Sequence, residues 1–353
     1  MAQTLTTQQR AALFAQSTRH TMQMLPKETA NDTAQTLSFN LPKARLLSRI
    51  FLNVKYTVNI KHASKTNIAE DQFTPYKIMR RVMLDLNNGF SPFVIEGSAL
   101  ALYNMLCTNP DKFYPADNVR AVCNHKPFVV SSAGADNTVE FTVQMPTTLN
   151  ERDPYGMILL QNESTQVTCT IDLVTAISDM FADASGYTFA LKNLEIMPML
   201  ETFTIPAIKE AFPDLSTLKL VSSKNEVFSG SGSNIVKLNV GTIYRKLVLF
   251  LTKSDGTPMT ADDISGNIEL IFNQADIPYS VNPRLLQAKN SYDYGYPLPA
   301  GVFVFDFSSQ GVPNMGGSRD IIDTQKLTEF WVRFTTQDAG RAQIISECLT
   351  SLR

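Results

Sequence analysis

The chain has 353 residues, 31 Lys and Arg against 33 Asp and Glu, a net charge of −2 and a pI near 6.0. That length exceeds what one hydrophobic core usually supports, so two domains of roughly 150 residues each are expected. The near-neutral balance excludes a dominant nucleic-acid surface, which needs clustered Lys and Arg to displace counterions.

Charged residues make up 18% of the chain, below the roughly 25% of typical soluble domains. A surface short of charge repels copies of itself weakly, which suits packing against neighbours, although ordinary variation in composition accounts for it equally well. Cys107, Cys123, Cys169 and Cys348 are too widely spaced for a metal site and read as free thiols in a reducing compartment. No apolar run reaches the roughly 20 residues that span a bilayer, and MAQTLTTQQR has no hydrophobic signal core, so use without secretion is expected.

In chain order, Ala11, Phe14, Ala15, Thr18, Met22 and Leu25 fall on one helical stripe, with Thr6 and Gln9 as a capping box and Pro26 as the stop. This predicts an amphipathic helix over the first 25 residues that packs on a neighbouring subunit, lies on a membrane surface, or folds back on its own domain. Polar residues 27–34 lead to a first strand at 36–41. The next segment carries the clearest signal: Leu52, Val54, Tyr56, Val58 and Ile60 alternate with Asn53, Lys55, Thr57, Asn59 and Lys61, the period of a half-buried strand.

An excursion over 73–107 holds a short helix at Phe73 to Pro75, a strand through Val82, Leu84 and Leu86, a turn at Asn87 to Gly89, and a helical turn at Leu102, Tyr103 and Leu106. Strands follow at 138–145, 166–173 and 187–197. Residues 201–234 contain Pro206, Pro213 and the run Ser229 to Ser233, and are expected to link two domains. Beyond them, strands at 235–240, 244–252 and 267–272 echo the plan of the first half. A loop rich in Pro, Asn and Tyr is expected over 273–299, then a strand at 303–307, a loop at 308–326, and final strands through Phe330, Val332 and Phe334.

Catalysis needs positioned titratable groups, and His20, His62 and His125 sit in no recognisable motif. Cys123 and His125, two residues apart, suit neither a zinc pair nor a nucleophile with its base. Glu151 with Asp153, and Asp262 with Asp263, have the composition of glycosidase carboxylates, but loop carboxylates are usually just solvated. The runs Gly230 to Ser233 and Gly316 to Ser318 lack the frame of a phosphate loop. Asn31 to Thr33 and Asn162 to Ser164 match glycosylation sequons, idle without secretion. Trp331 alternates with Phe330 and Val332 and so faces away from them beside Arg333, fitting either a subunit contact or a site under a loop. An enzyme is therefore not expected.

Four segments carry a resemblance: MAQTLTTQQRAAL at the start, FTPYKIMRRVMLDLNNG at 73–89, the run from VEFTVQMPTTLNERDPYG to VTCTIDL, and NPRLLQAKNSYDYGYPLPAGVFVFDF at 282–307. In this order they resemble the double jelly-roll major capsid proteins of tectiviruses, tailless icosahedral bacteriophages whose shell encloses a lipid membrane. The shorter chain is similar to the Bacillus-infecting branch.

The resemblance implies an all-β fold of two consecutive eight-stranded jelly rolls with an N-terminal helix and short helices in loops. The expected organisation is helix and arm over 1–34, first roll over 35–200, linker over 201–234 and second roll over 235–353. It implies a homotrimer forming a pseudo-hexagonal tile, then a trimer lattice, with other capsid and vertex proteins and the inner viral membrane as partners, no direct contact with nucleic acid and no cofactor. The protein is expected in the virion after synthesis in the host cytoplasm. Arg10, Phe14, Arg19, Met22 and Leu25 would carry the partner or membrane contact, the two arginines meeting lipid headgroups.

Two rivals stand beside it. One is a carbohydrate-binding or carbohydrate-active β-sandwich using Tyr292, Tyr294 and Tyr296 as a sugar platform; the other is a minor capsid or vertex protein.

Overall fold

The computed structural model describes residues 7–71, 73–87, 89–107, 122–149, 154–161, 166–213, 215–230, 232–308 and 321–351. Thr6, Glu151, Asp153, the sequon at 162–164 and the glycines at 316 and 317 lie outside them. The chain divides into two compact units, Met1–Lys219 with Ser351–Arg353, and Leu220–Thr350.

In the first unit, α1 (Thr7–Ser17) is followed by β1 (His20–Met24), β2 (Glu28–Ala30), β3 (Thr36–Asn40), β4 (Leu46–Lys61), β5 (Met79–Leu86) and β6 (Phe90–Ile95). Then come α2 (Gly97–Cys107), β7 (Ala135–Pro146), β8 (Ile158–Leu159), β9 (Val167–Leu173) and β10 (Thr188–Phe203). One sheet runs β1, β10, β4, β7, with the short β2 also on β10 and β8 on β4, and the remaining strands lie in the order β3, β9, β5, β6. Setting β2 and β8 aside, the strands counted along the chain stand as first, eighth, third, sixth in one sheet and second, seventh, fourth, fifth in the other. That is the jelly-roll order, in which two Greek keys wrap two sheets around one core.

The second unit contains β11 (Thr217–Phe228), β12 (Gly232–Leu238), β13 (Ile243–Lys253), β14 (Ile264–Phe272) and β15 (Asp276–Val281). It continues with α3 (Pro283–Tyr294), β16 (Val302–Asp306), β17 (Ile322–Asp323), β18 (Phe330–Thr336) and β19 (Gly340–Ser351). Its sheets run β11, β19, β13, β16, with β17 also on β13, and β12, β18, β14, β15. With β17 set aside the order is again first, eighth, third, sixth and second, seventh, fourth, fifth. The fold is a double jelly roll.

Alternation explains why these segments are strands. Leu52, Val54, Tyr56, Val58 and Ile60 of β4 are at most 1% exposed, and Tyr56 and Tyr76 both pack on Phe141 of β7. In the second unit Phe330, Val332 and Phe334 are fully buried, with Phe330 edge-on to Tyr244 and Phe334 edge-on to Phe228. Each buried side chain of this size contributes about 1.5–3 kcal/mol. One glycine is required by close approach: a Cβ on Gly97, where α2 begins, would stand 2.3 Å from the Tyr76 carbonyl oxygen and 2.7 Å from that of Met79.

Several expectations are corrected. The N-terminal helix stops at Ser17, because past Thr18 the chain leaves the helical ladder: the Arg19 amide donates to Thr204 Oγ1 at 2.9 Å and the Arg19 carbonyl accepts the Thr204 amide at 3.0 Å. Residues 20–24 then form β1, which pairs antiparallel with β10, so the first roll starts before residue 35. The expected linker 201–234 is largely strand: it holds the end of β10, all of β11 and the start of β12. Proline and a Ser-Gly run marked turns there, not a tether. The expected loop 273–299 contains β15 and α3. Asn282 caps α3 by accepting the Arg284 amide, Pro283 opens it, and Gly295 closes it at φ 76°; this Asn-Pro and Gly pairing is a readable helix signature.

Candidate assembly surfaces

With core residues facing inward, the alternate residues of each sheet define its outer face. On β10, Leu194, Ile196 and Leu200 are buried while Glu195, Met197, Met199 and Glu201 face the other way. The register aligns Met24 with Met199, Met199 with Phe51 and Phe51 with Gln144, while Met22 aligns with Glu201 and Glu201 with Arg49. The outer face of this sheet therefore carries Met22, Met24, Met197 and Met199 in one patch, with Met22 64% and Met24 51% exposed.

The patch is rimmed by polar groups. Arg49 lies over the Phe51 ring at 5.6 Å, ion-pairs with Glu201 at 3.5 Å and donates to Gln144 Oε1 at 2.9 Å. Lys27 pairs with Glu195 at 3.0 Å, and Asn53 donates to Thr142 Oγ1 at 3.1 Å. An exposed apolar area with a polar rim marks an interaction site, and unbranched methionine repacks readily against a partner.

The second unit presents a different outer face on β12, β18, β14 and β15. Ile235 aligns with Arg333, Lys237 with Trp331, and Arg333 with Glu269. The Arg333 Nε–H donates to Glu269 Oε2 at 2.6 Å, and Lys237 Nζ stands 5.7 Å from the Trp331 ring centre. Trp331 faces outward beside Arg333, with Ile235 half exposed next to them.

The residues expected to touch a partner or membrane separate into two groups. Phe14 is 4% exposed and packs on Phe203 at 5.5 Å, with Leu46 and Met157 in the same cluster. Leu25 is also buried, its amide donating to the Pro198 carbonyl. Both belong to the core of the first unit, so the helix folds back on its own domain. Arg10, Arg19 and Met22 are exposed or half-exposed. Met22 lies in the exposed edge strand β1 and not on a helical stripe, and sequence periodicity missed its companions Met24, Met197 and Met199. Their signal was the period of two across 22–24 and 197–199.

The groups with chemical potential are engaged elsewhere. His125 Nε2 and Glu70 Oε2 lie 2.6 Å apart, and Glu70 Oε1 also accepts the Phe128 amide, joining two loops. Burial pushes the Cys123 thiol upward, although the His125 backbone N–H and the Tyr76 hydroxyl pull the other way. A protonated buried thiol is the opposite of an activated nucleophile. Asp262 pairs with Arg284, and Asp263 is held low by Lys253 and the Thr260 amide. Tyr292 and Tyr294 sit on α3, not in a loop; Tyr292 is 87% exposed while Tyr294 donates to Asp306 at 2.7 Å, so the tyrosines form no flat sugar platform. Among the described residues there is no cluster of three or more metal-ligating side chains, and no helix is long and apolar enough to cross a membrane.

No family model matches the sequence, and no curated protein matches it either. Solved structures do match in fold. The STIV major capsid protein superposes with a TM-score of 0.69 at 14% identity, over 94% of this chain and 97% of that one. The VP54 protein of PBCV-1, in a crystal structure fitted into a cryo-EM reconstruction of the virophage Sputnik, gives 0.67 at 10% identity, over 94% of each chain. The major capsid protein P2 of bacteriophage PM2 gives 0.55 at 10% identity, over 94% of this chain and 98% of that one. All are double jelly-roll capsid proteins, and the likeness extends over nearly the whole of each chain.

Proposed function

We propose that this chain is a viral major capsid protein, a structural building block and not an enzyme, which assembles as homotrimers into an icosahedral shell. The observation that carries this reading is the repetition of one strand order in both units. Three copies of two like rolls make a six-sided tile, and such tiles cover a flat facet that would otherwise need six chains. Whole-chain likeness to capsid proteins from several virus groups supports it. Self-association is driven by apolar burial, at about 25 cal/mol per Å², and the methionine patch offers such a surface. Obligate interfaces commonly bury roughly 2,000 Å² or more, so the trimer should persist alone while weaker trimer–trimer contacts are multiplied by the shell.

The finer reading is of a tectivirus type from a Bacillus-infecting phage, with the shell over an internal membrane and other capsid and vertex proteins as partners. In that setting Arg10 and Arg19 face lipid headgroups or neighbouring tiles. Synthesis in the host cytoplasm and residence in the virion follow.

Light scattering with negative-stain imaging tests the proposal. The expected particle has three times the 39.2 kDa chain mass and a six-sided outline. A monomer or a pentamer would overturn it. Met22→Glu combined with Met24→Glu should weaken association at least tenfold with little change in melting temperature, since both side chains are exposed.

A further inference from the structure

The two rolls share a device that no sequence repeat encodes. In each, the helix between the fifth and sixth strands has a buried asparagine as its eighth residue: Asn104 in α2 and Asn290 in α3, at 1% and 0% exposure. Each amide serves one residue of the sixth strand. Asn104 Nδ2 donates to the Gln144 carbonyl at 2.8 Å while its Oδ1 accepts the Gln144 amide at 2.6 Å. Asn290 does the same to Val304, donating at 2.8 Å and accepting at 3.0 Å.

Both target strands end their sheets as ordered within each unit, β7 beside β4 and β16 beside β13. A primary amide presents one C=O and one N–H, as the next strand of a sheet would. On β7 the closure continues: Glu140 exchanges hydrogen bonds with Asn124, and the Thr142 amide donates to the Val122 carbonyl at 2.7 Å. On β16, Asn290 is backed by the Val302 amide turning to the Pro299 carbonyl at 3.2 Å. The same contact is reached across 40 residues in one roll and 14 in the other, so it is not a by-product of one loop length.

We infer that Asn104 and Asn290 lock the outer edge of each roll against strand addition. An unpaired edge templates pairing with another chain, and β16, which reads Val-Phe-Val-Phe-Asp, has the β-prone apolar composition that aggregates most readily when exposed. An apolar residue in place of either asparagine would leave a buried N–H and C=O unmade, and a strand from another copy would satisfy them. The locks thus close the β7 and β16 edges to strand addition. This inference stands independently of the proposed capsid role.

Amide exchange at Val304 and Gln144, with sedimentation over time, tests it. Asn290→Ala should speed exchange of the Val304 amide at least tenfold and accelerate growth of large β-rich species by a similar factor. Asn104→Ala should open Gln144 but promote growth less, because Asn124 and Val122 still cover β7. If Asn290→Ala is not recovered folded, Asn290→Leu, which nearly keeps the volume and removes both the donor and the acceptor without adding a charge, is taken through the same readouts. Unchanged Val304 exchange, or faster exchange without faster growth, overturns the inference. So does a wild-type Val304 amide that exchanges as fast as those on the edge of β12.

Discussion

The two rolls have one topology and one inward logic, but the outer faces that stand out in them belong to non-corresponding sheets and carry different chemistry. In the first, the outer face of the sheet containing β10 gathers four methionines around Phe51. In the second, the outer face around β18 carries Arg333 with Glu269 and Lys237 over Trp331. Inward residues answer to packing, which accepts any apolar set of suitable volume. Outward residues are free of that demand, so what they share or do not share reports on contacts beyond the chain. The rolls also differ at their starts: the first begins with α1 clamped by Phe14, while β11 is preceded, among the described residues, only by a single 3-10 turn at Lys209–Ala211.

The largest test of this asymmetry removes the first roll's opening. Deleting residues 1–25 takes away Phe14, Leu25 and β1, which pairs with Met199–Phe203 of β10, and should prevent that roll from folding, leaving fast amide exchange along β10 and β4. Phe14→Ala alone should cost about 3 kcal/mol by urea unfolding, the usual loss for a buried phenylalanine. A loss under about 1 kcal/mol would mean the helix is dispensable and packs elsewhere.

A smaller effect should appear in the second roll in acid. Burial raises the Asp306 carboxyl, but Lys246 at 3.1 Å, with the Ser308 and Tyr294 hydroxyls, outweighs it and holds the group below the usual carboxylate range. A depressed folded value means stability that is complete above about pH 4, the unfolded value, and is lost as pH falls through the folded one. Urea midpoints between pH 5 and pH 2 should therefore fall less steeply for Asp306→Asn than for the parent. Parallel slopes would remove Asp306 from the account.

The least disruptive test compares thiols. Burial pushes Cys169 in the first roll and Cys348 in the second up to about 12, so both stay protonated at pH 8, and Cys123 is raised as well. Cys107 alone is exposed. A thiol reagent should label one site per native chain and four after denaturation. Rapid labelling of Cys348 before unfolding would show that the second roll opens more readily than its packing implies.

Period-two patterning was enough to locate β4, β7, β9 and β18, because one face of each meets a core and the other is more exposed. It failed where local signals competed. Met22 and Leu25 fit a helical stripe as well as a strand, and only pairing with β10 across some 180 residues decides for β1. The run Pro206 to Ser233 looked like a tether because turn residues carry no information about the strands between them. The helix α3 was legible in Asn282, Pro283 and Gly295, yet the tyrosines around it drew attention to a loop.

By itself the sequence determined a chain of β-strands long enough for two domains, since hydrophobic alternation is a local property set by backbone geometry; that the strands wind into two jelly rolls was what the resemblance implied, and the strand order bears it out. Only the tertiary structure decided which strands are neighbours, that Phe14 and Leu25 are core, and that Met22, Met24, Met197 and Met199 form one patch. Asn104 and Asn290 entered the same way. Each of these depends on residues far apart in the chain meeting across a sheet, and no short-range pattern records such a meeting.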